Sequence, residues 1–164
     1  MANNYWLMKS EPDECSIDDV LAAPGRTVPW TGVRNYQARN FMRDLMQPGD
    51  GVLFYHSSCA QPGIAGIARV ASRAYPDATQ FDRKSKYFDA AATAEDPRWV
   101  HVDVQAVRRI ELIPIATLRA QPQLADLAIL RRGNRLSITP VTAAQWKFIS
   151  TALARPAQNP ERGD

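Results

Sequence analysis

Short apolar runs alternate along the chain with polar stretches punctuated by Pro and Gly, and the spacing inside each run predicts an element. Tyr5-Trp6-Leu7-Met8, halted by Glu11-Pro12-Asp13, reads as a buried opening strand. Ser16-x-x-Asp19 has the acceptor and carboxylate of a capping box, which predicts a short helix through Leu21 that Pro24-Gly25 ends. A second helix is expected from near Asn35, because Ala38, Met42, Leu45 and Met46 fall at i, i+4, i+7 and i+8 on one face. Pro48-Gly49-Asp50-Gly51 turns the chain into Val52-Leu53-Phe54-Tyr55, a run with no polar alternation and therefore a central strand buried on both faces. Gln61-Pro62-Gly63 leads into Ile64 to Val70, where Ala65, Gly66 and Ala68 permit close backbone approach, so Val52 to Val70 is expected to form a hairpin.

From Tyr75 to Pro97 no period is visible. The stretch reads as a long loop holding Phe81, Tyr87 and Phe88, and loops of that length inside compact domains are functional or mobile. Strict alternation returns at Trp99 to Gln105, with Val100, Val102 and Val104 facing inward and His101 outward, in a strand continuing through Ile110. Ile115 to Leu130 is helix-like but broken by Pro122, and it empties into the exposed loop Arg131-Arg132-Gly133-Asn134-Arg135. Thr142-x-x-Gln145 forms a second capping box, and Val141 with Trp146 a hydrophobic staple, at the start of the last helix. Residues 155–164 lack a strong apolar side chain and read as a frayed tail, which leaves one domain over 1–154. Strands interleaved with helices, without βαβ alternation, predict a small α+β fold on a curled or barrel-like antiparallel sheet.

Composition narrows the function classes. With 164 residues, 45% hydrophobic and 23% charged, the chain is an ordinary folded domain, and a net charge of +3 is too small for a polybasic nucleic-acid coat. Most of its basic residues are Arg, whose planar fork favours bidentate recognition of phosphate or carboxylate. The charge is polarised: Arg119, Arg131, Arg132 and Arg135 face Asp126 alone, whereas Met1 to Trp30 is acidic. Cys15 and Cys59 sit in no metal or redox spacing and read as free thiols. No basic leader and no run of about 20 apolar residues is present, so a soluble, intracellular, cytoplasmic protein without membrane contact is expected, with a monomer favoured. Phosphate-loop, dinucleotide, zinc-protease and EF-hand patterns are missing, and no cofactor or metal is expected.

Two constellations carry candidate chemistry. Lys9-Ser10 ends the opening strand and stands with Trp30-Thr31-Gly32-Val33-Arg34-Asn35-Tyr36, a segment with a Trp, an Arg, an amide and a Tyr. Arg131-Arg132-Gly133-Asn134-Arg135-Leu136-Ser137 is the second. Aromatics that stack a base, polar groups that read its edge and Arg groups that hold phosphate would together make a nucleotide site. In each case the plain alternative is packing or a solvated loop.

These segments, together with Gly49-Asp50-x-Val52-Leu53-Phe54-Tyr55-His56-Ser57 and Pro62-Gly63-Ile64-x-Gly66, resemble the EVE domain family over about Tyr5 to Leu153. The resemblance implies a PUA-like β-barrel flanked by helices, similar to YTH domains, which enclose methylated adenosine of RNA in an aromatic cage. It implies a reader of modified bases, either methylated or oxidised cytosine in DNA or a modified base in RNA. The YTH pattern puts a Lys-Ser pair after its first strand and a cage Trp after the next helix, which maps onto Lys9-Ser10 and Trp30 here. Tyr36, Tyr55 and Trp99 are the candidates for further cage walls. The expected base pocket is then Lys9, Ser10, Trp30, Asn35, Tyr36, Tyr55 and Ser57, and the expected phosphate contacts are Arg34, Arg131, Arg132, Asn134 and Arg135. A non-enzymatic binding module that flips its base is the leading expectation. A small enzyme acting on a nucleotide or modified base through His56 or Cys59, and a site for a small anion or free nucleotide, are the alternatives.

Overall fold

A strand whose every side chain is apolar needs an apolar layer on each of its faces, and the molecule supplies two. The computed structural model describes residues 3–157. Eight strands, β1 (Tyr5–Ser10), β2 (Thr27–Pro29), β3 (Gly51–His56), β4 (Gly63–Val70), β5 (Tyr75–Pro76), β6 (Val100–His101), β7 (Asp103–Pro114) and β8 (Ile138–Val141), form a six-stranded sheet in the order β2-β7-β4-β3-β1-β8 and a small β5-β6 pair. Trp6, Met8, Val52 and Phe54 point into one core and Leu7, Leu53 and Tyr55 into the other, as the period of two dictates. The first core is closed by α1 (Ile17–Ala22) and α2 (Tyr36–Asn40). The second is closed by α3 (Ile115–Arg119), the turns after it and α4 (Ala143–Phe148).

The α+β class stands, but the sheet is mixed rather than antiparallel throughout. β1 and β3 run parallel, in register from Tyr5↔Gly51 to Ser10↔His56, and the segment carrying α1, β2 and α2 is the crossover between them. Burial on both faces is the mark of such a pair. The remaining pairings are antiparallel, the expected β3-β4 hairpin among them, and β2 and β8 are the two ends of the sheet. A Cβ on Gly66 would come within 2.5 Å of Ile17 Cδ1, so the missing side chain lets α1 settle on β4.

Both capping boxes form: Asp19 N–H donates to Ser16 Oγ at 3.1 Å and Gln145 N–H to Thr142 Oγ1 at 3.1 Å, each with its reciprocal bond. Asn35 caps α2, which widens into a π-helical turn over Phe41–Leu45. That turn keeps Ala38, Met42 and Met46 in the core and swings Leu45, expected beside them, half out into solvent. Ile115 to Leu130 is α3 followed by two single 3-10 turns, the first opened by Pro122.

The stretch from Tyr75 to Pro97 is more tightly organised than a loop reading predicts. β5 pairs with β6, and the buried Gln80 amide donates to the carbonyls of Asp77 and Trp99 at 2.7 Å each while its oxygen accepts from the N–H groups of Arg98 and Trp99. The small pair covers His101, which is buried against Tyr75 at 4.4 Å instead of facing water. At the other end Glu111 N–H donates to Arg155 O at 2.9 Å and Pro156 bridges to Ile110, so the expected tail begins as a paired segment. Its continuation over 158–164 lies outside the described residues.

Both histidines are held neutral. Ile17 N–H donates to His56 Nε2 at 3.1 Å, and burial pushes the His56 and His101 imidazoles below their ordinary value of 6.5. The folded chain therefore binds fewer protons than the unfolded one on the acid side of that value, so the stability these groups contribute is complete above pH 6.5 and is lost as pH falls through their folded values. The urea midpoint is expected to drop as pH falls from about 7 to about 5, and to drop less in His56→Gln, whose amide oxygen can still accept from Ile17. Equal pH slopes in the two proteins would remove His56 from this role.

Candidate functional site

Parallel strands deliver their carboxyl ends to the same edge of a sheet. At the end of β1 stand Lys9 and Ser10, at the end of β3 Ser57, and Ser57 N–H donates to Ser10 O at 2.9 Å. Lys9 N–H donates to Ser137 O at 2.8 Å, which brings the segment before β8, with Arg135, to the same edge. A cleft of about 750 Å³ opens there, with Lys9, Ser10, Trp30, Ser57, Tyr87 and Arg135 among its lining residues. Trp30 is only 8% exposed: its ring packs edge-on against Phe54 at 5.3 Å in the core and also contributes to the cleft wall. The Tyr87 ring lies on the backbone of Gly32, where a Cβ would come within 2.6 Å of Tyr87 Cζ and φ is +92°, so that position requires glycine.

One carboxylate holds this wall. Asp77 has no exposed surface, and it accepts from Gly32 N–H at 2.9 Å, Thr79 N–H at 2.9 Å, the Thr79 hydroxyl at 2.5 Å and Arg34 Nη1 at 3.2 Å. Burial alone would push its carboxyl upward. The hydrogen bonds and the Arg34 charge together outweigh burial and hold it below the usual range. Arg34 in turn donates through Nε and Nη2 to Tyr87 O, through Nη2 to Thr79 Oγ1 and through Nη1 to Val33 O, so all five of its N–H groups are spent inside the protein. Arg34 was expected to bind phosphate. The structure makes it the clasp between the Trp30–Arg34 loop and Tyr87.

The expected residues separate into three groups. Lys9, Ser10, Trp30 and Ser57 meet in the cleft, with Arg34 and Arg135 in its lining. Tyr55, Arg131, Arg132 and Asn134 line an adjoining cleft of about 640 Å³ that shares Lys9, Ser57 and Ser58 with the first. Asn35 and Tyr36 belong to neither: the Asn35 side chain accepts from Ala38 N–H, and Tyr36 stacks on Trp99 at 4.8 Å with Arg39 over its ring. Asn134 also has an internal task, since its amide donates to Ala128 O at 2.6 Å and accepts from Leu136 N–H, which shapes the arginine loop instead of offering the amide to a ligand. Tyr55 is buried in the second core, and burial raises its phenol.

Sequence reasoning missed Tyr87, Glu14 and Lys86 as cleft residues. In the sequence Tyr87 stands only as an aromatic in an aperiodic stretch. Its hydroxyl donates to Glu14 Oε2 at 3.1 Å, and Lys86 forms an ion pair with Glu14. Lys9 has no ion-pair partner among the described residues, and burial pushes its ammonium below the ordinary lysine value, so a cation outside any ion pair stands where the two clefts meet.

The His56 imidazole and the Cys15 thiol are each held by their surroundings. His56 Nε2 is occupied by the N-terminus of α1, and His56 lines a different cavity, with Asp18 and Arg109. Burial, then the nearby Asp19, raises the Cys15 thiol, which disfavours the thiolate a nucleophile needs. Among the described residues no group of three His, Cys, Asp or Glu side chains could hold a metal ion, and no helix is long and apolar enough to cross a membrane.

Comparison with known proteins gives close relatives. Human thymocyte nuclear protein 1 is 41% identical over 165 residues, which cover 90% of this chain and 72% of the relative. A protein of Pseudomonas putida solved by X-ray crystallography is 50% identical, with a TM-score of 0.85, covering 89% of this chain and 97% of that one. The crystal structure of human THYN1 protein in complex with 5-methylcytosine-containing DNA is 40% identical, with the same TM-score of 0.85, covering 90% of this chain and 95% of that one. The EVE domain profile matches residues 4–152, from the residue before β1 to the last helical turn, and the chain belongs to the EVE domain family.

Proposed function

We propose that this protein is a non-enzymatic module that binds DNA carrying a modified cytosine of the 5-methylcytosine kind, by taking the base out of the stack into the cleft beside Trp30 and Tyr87. The observation that carries this reading is the meeting, at one sheet edge, of two aromatic side chains with the unpaired Lys9 ammonium, beside a second cleft lined by Arg131 and Arg132. The likeness to a human protein solved with 5-methylcytosine-containing DNA supports it. The accompanying fold reading is PUA-like, with the sheet curled so that the ends of β1 and β3 open on the base.

The energetics are consistent with a selective but modest binder. Extruding a base costs a few kcal/mol, and stacking on an aromatic ring returns about 1 to 3 kcal/mol. The Ser10 hydroxyl proton is engaged by Cys15 O, which leaves its oxygen to accept from the exocyclic amine of cytosine, while Lys9 and Ser57 can donate to the ring acceptors. Arg131, Arg132 and Arg135, all exposed and free of ion pairs among the described residues, would hold flanking phosphates. One methyl group discriminates by about 1 to 3 kcal/mol, so a preference of roughly 10- to 200-fold is the expected ceiling.

Titration of fluorescent oligonucleotides that differ only in cytosine methylation tests the reading, in DNA and in matched RNA. Trp30→Ala is a poor probe because truncating a buried Trp costs about 3 to 5 kcal/mol of stability. Tyr87→Ala and Trp30→Phe preserve the core better; each is expected to shrink the methyl preference, and Tyr87→Ala to weaken binding by roughly 5- to 150-fold, the value of one stacked base. An unchanged preference in both would remove the base from this cleft.

Combining Arg131→Ala with Arg135→Ala is expected to weaken methylated and unmethylated strands alike. The slope of log affinity against log salt should become shallower by about 2. A loss confined to methylated strands would contradict a phosphate role.

A further inference from the structure

Two adjacent cations that line neither cleft, Arg83 and Lys84, lie on the segment from Asp82 to Phe88. Arg83, Lys84 and Lys86 fall within four residues, and two of the four lysines of the chain are here. Lys86 is neutralised by Glu14, but Arg83 and Lys84 are exposed and form no side-chain hydrogen bond or ion pair among the described residues. They have no structural task.

The segment is a stiff arm. Lys84 N–H donates to Asp82 Oδ1 and Ser85 N–H to Asp82 O, both at 2.9 Å; Tyr87 and Phe88 N–H then donate to Ser85 Oγ and Ser85 O at 3.1 Å each. Its C-terminal end is held twice: Asp89 N–H donates to Gln80 O at 3.0 Å, and Tyr87 is fixed to the cleft wall with its ring on Gly32 and its carbonyl accepting twice from Arg34. At the other end Asp82 N–H donates to Thr79 O at 3.3 Å. Arg83 and Lys84 are thereby presented a few residues from the cleft on preorganised backbone, so their use by a ligand costs side-chain ordering only.

We propose that the Asp82–Phe88 arm is a second phosphate-contacting element, which holds the DNA backbone on a different side of the extruded base from Arg131, Arg132 and Arg135. The inference rests on the modified-base reading above and extends it to the shape of the target. An extruded nucleotide has phosphates on both its 5′ and 3′ sides, and the two basic clusters adjoin different cleft residues in the chain: Arg83 and Lys84 precede Tyr87, and Arg131, Arg132 and Arg135 precede Ser137. Lys86, an arm residue that itself lines the cleft, pairs with Glu14 and cancels a carboxylate that would otherwise repel an approaching phosphate. The preferred ligand is therefore a strand continuing on both sides of the base, as in an internal position of a duplex, and not a terminal or free nucleotide.

The test compares the wild-type protein with Arg83→Ala/Lys84→Ala on duplexes carrying one 5-methylcytosine at the centre, at the 5′ end or at the 3′ end. The central probe is expected to show a salt slope shallower by about 2 in the variant, with weaker binding at low salt and the methyl preference retained. One end-placed probe should bind both proteins equally, and Arg131→Ala/Arg135→Ala should lose affinity for that probe instead. Wild-type slope and affinity on the central probe overturn the arm, as does loss at the same end in both variants. Loss of slope in a protein whose wild type shows no methyl preference leaves the arm standing and defeats the base reading. Absence of any wild-type binding to the duplexes overturns both.

Discussion

A carboxylate with no surface in water stays ionised only when fixed donors replace its hydration, and the geometry around the cleft follows from how Asp77 meets that condition. Its partners come from two distant parts of the chain: Gly32 N–H and the Arg34 guanidinium from the loop after β2, and Thr79 from the turn after β5. Satisfying one buried charge thus fastens the two segments together. Because Gly32 is held there, the Tyr87 ring has a flat backbone surface to lie on, and because Arg34 is held there, its remaining N–H groups reach the Tyr87 carbonyl. Breaking a buried pair of this kind costs about 3 to 5 kcal/mol in other proteins, since a charge is left without its partner. The aromatic wall of the cleft is therefore set before any ligand arrives, which lowers the ordering cost of binding.

The other wall depends on the direction of β1. Had β1 run antiparallel to β3, Lys9-Ser10 and Ser57 would lie at opposite ends of the sheet. The parallel register instead pairs Ser10 with His56 and puts the two polar strand ends side by side. Ligands of open sheets gather at carboxyl ends of parallel strands for this reason. The same arrangement half-buries Lys9, and the resulting downward pressure on its ammonium is the cost of holding a cation beside apolar walls. A phosphate or a base acceptor placed against Lys9 would offset that cost.

Local chemistry was legible in the sequence and long-range pairing was not. Both capping boxes, the Asn35 helix start, the β3-β4 hairpin and the close approach at Gly66 came from residues within a few positions of each other, where hydrogen-bond reach and steric volume decide the outcome. The errors arose where a distant segment intervened. His101 alternates as an outward residue, yet β5 arrives to cover it. Leu45 falls on the helical stripe, yet a π turn changes the angular step. Of the residues that line the cleft, Lys9, Ser10, Trp30 and Ser57 are legible in the sequence from two strand ends and a motif, whereas Tyr87 has no local signature and owes its place to Gly32 and Arg34, more than fifty residues earlier.

Most of the basic residues are arginine, whose fork suits phosphate or carboxylate alike, and the hydrogen bonds divide the set. Arg34 spends all its donors on Val33, Asp77, Thr79 and Tyr87; Arg39 donates to Asn40 and to the Arg98 carbonyl; Arg109 pairs with Asp18. For these, the planar fork serves to tie loops to one another, a task a single ammonium performs poorly. Among the cations with no internal ion pair, Lys9 at the strand end and Arg135 line the cleft, Arg131 and Arg132 line the adjoining one, and Arg83 and Lys84 stand on the arm that reaches the cleft through Tyr87. Unneutralised like charges that line one cleft repel, and an anion bound among them offsets that repulsion.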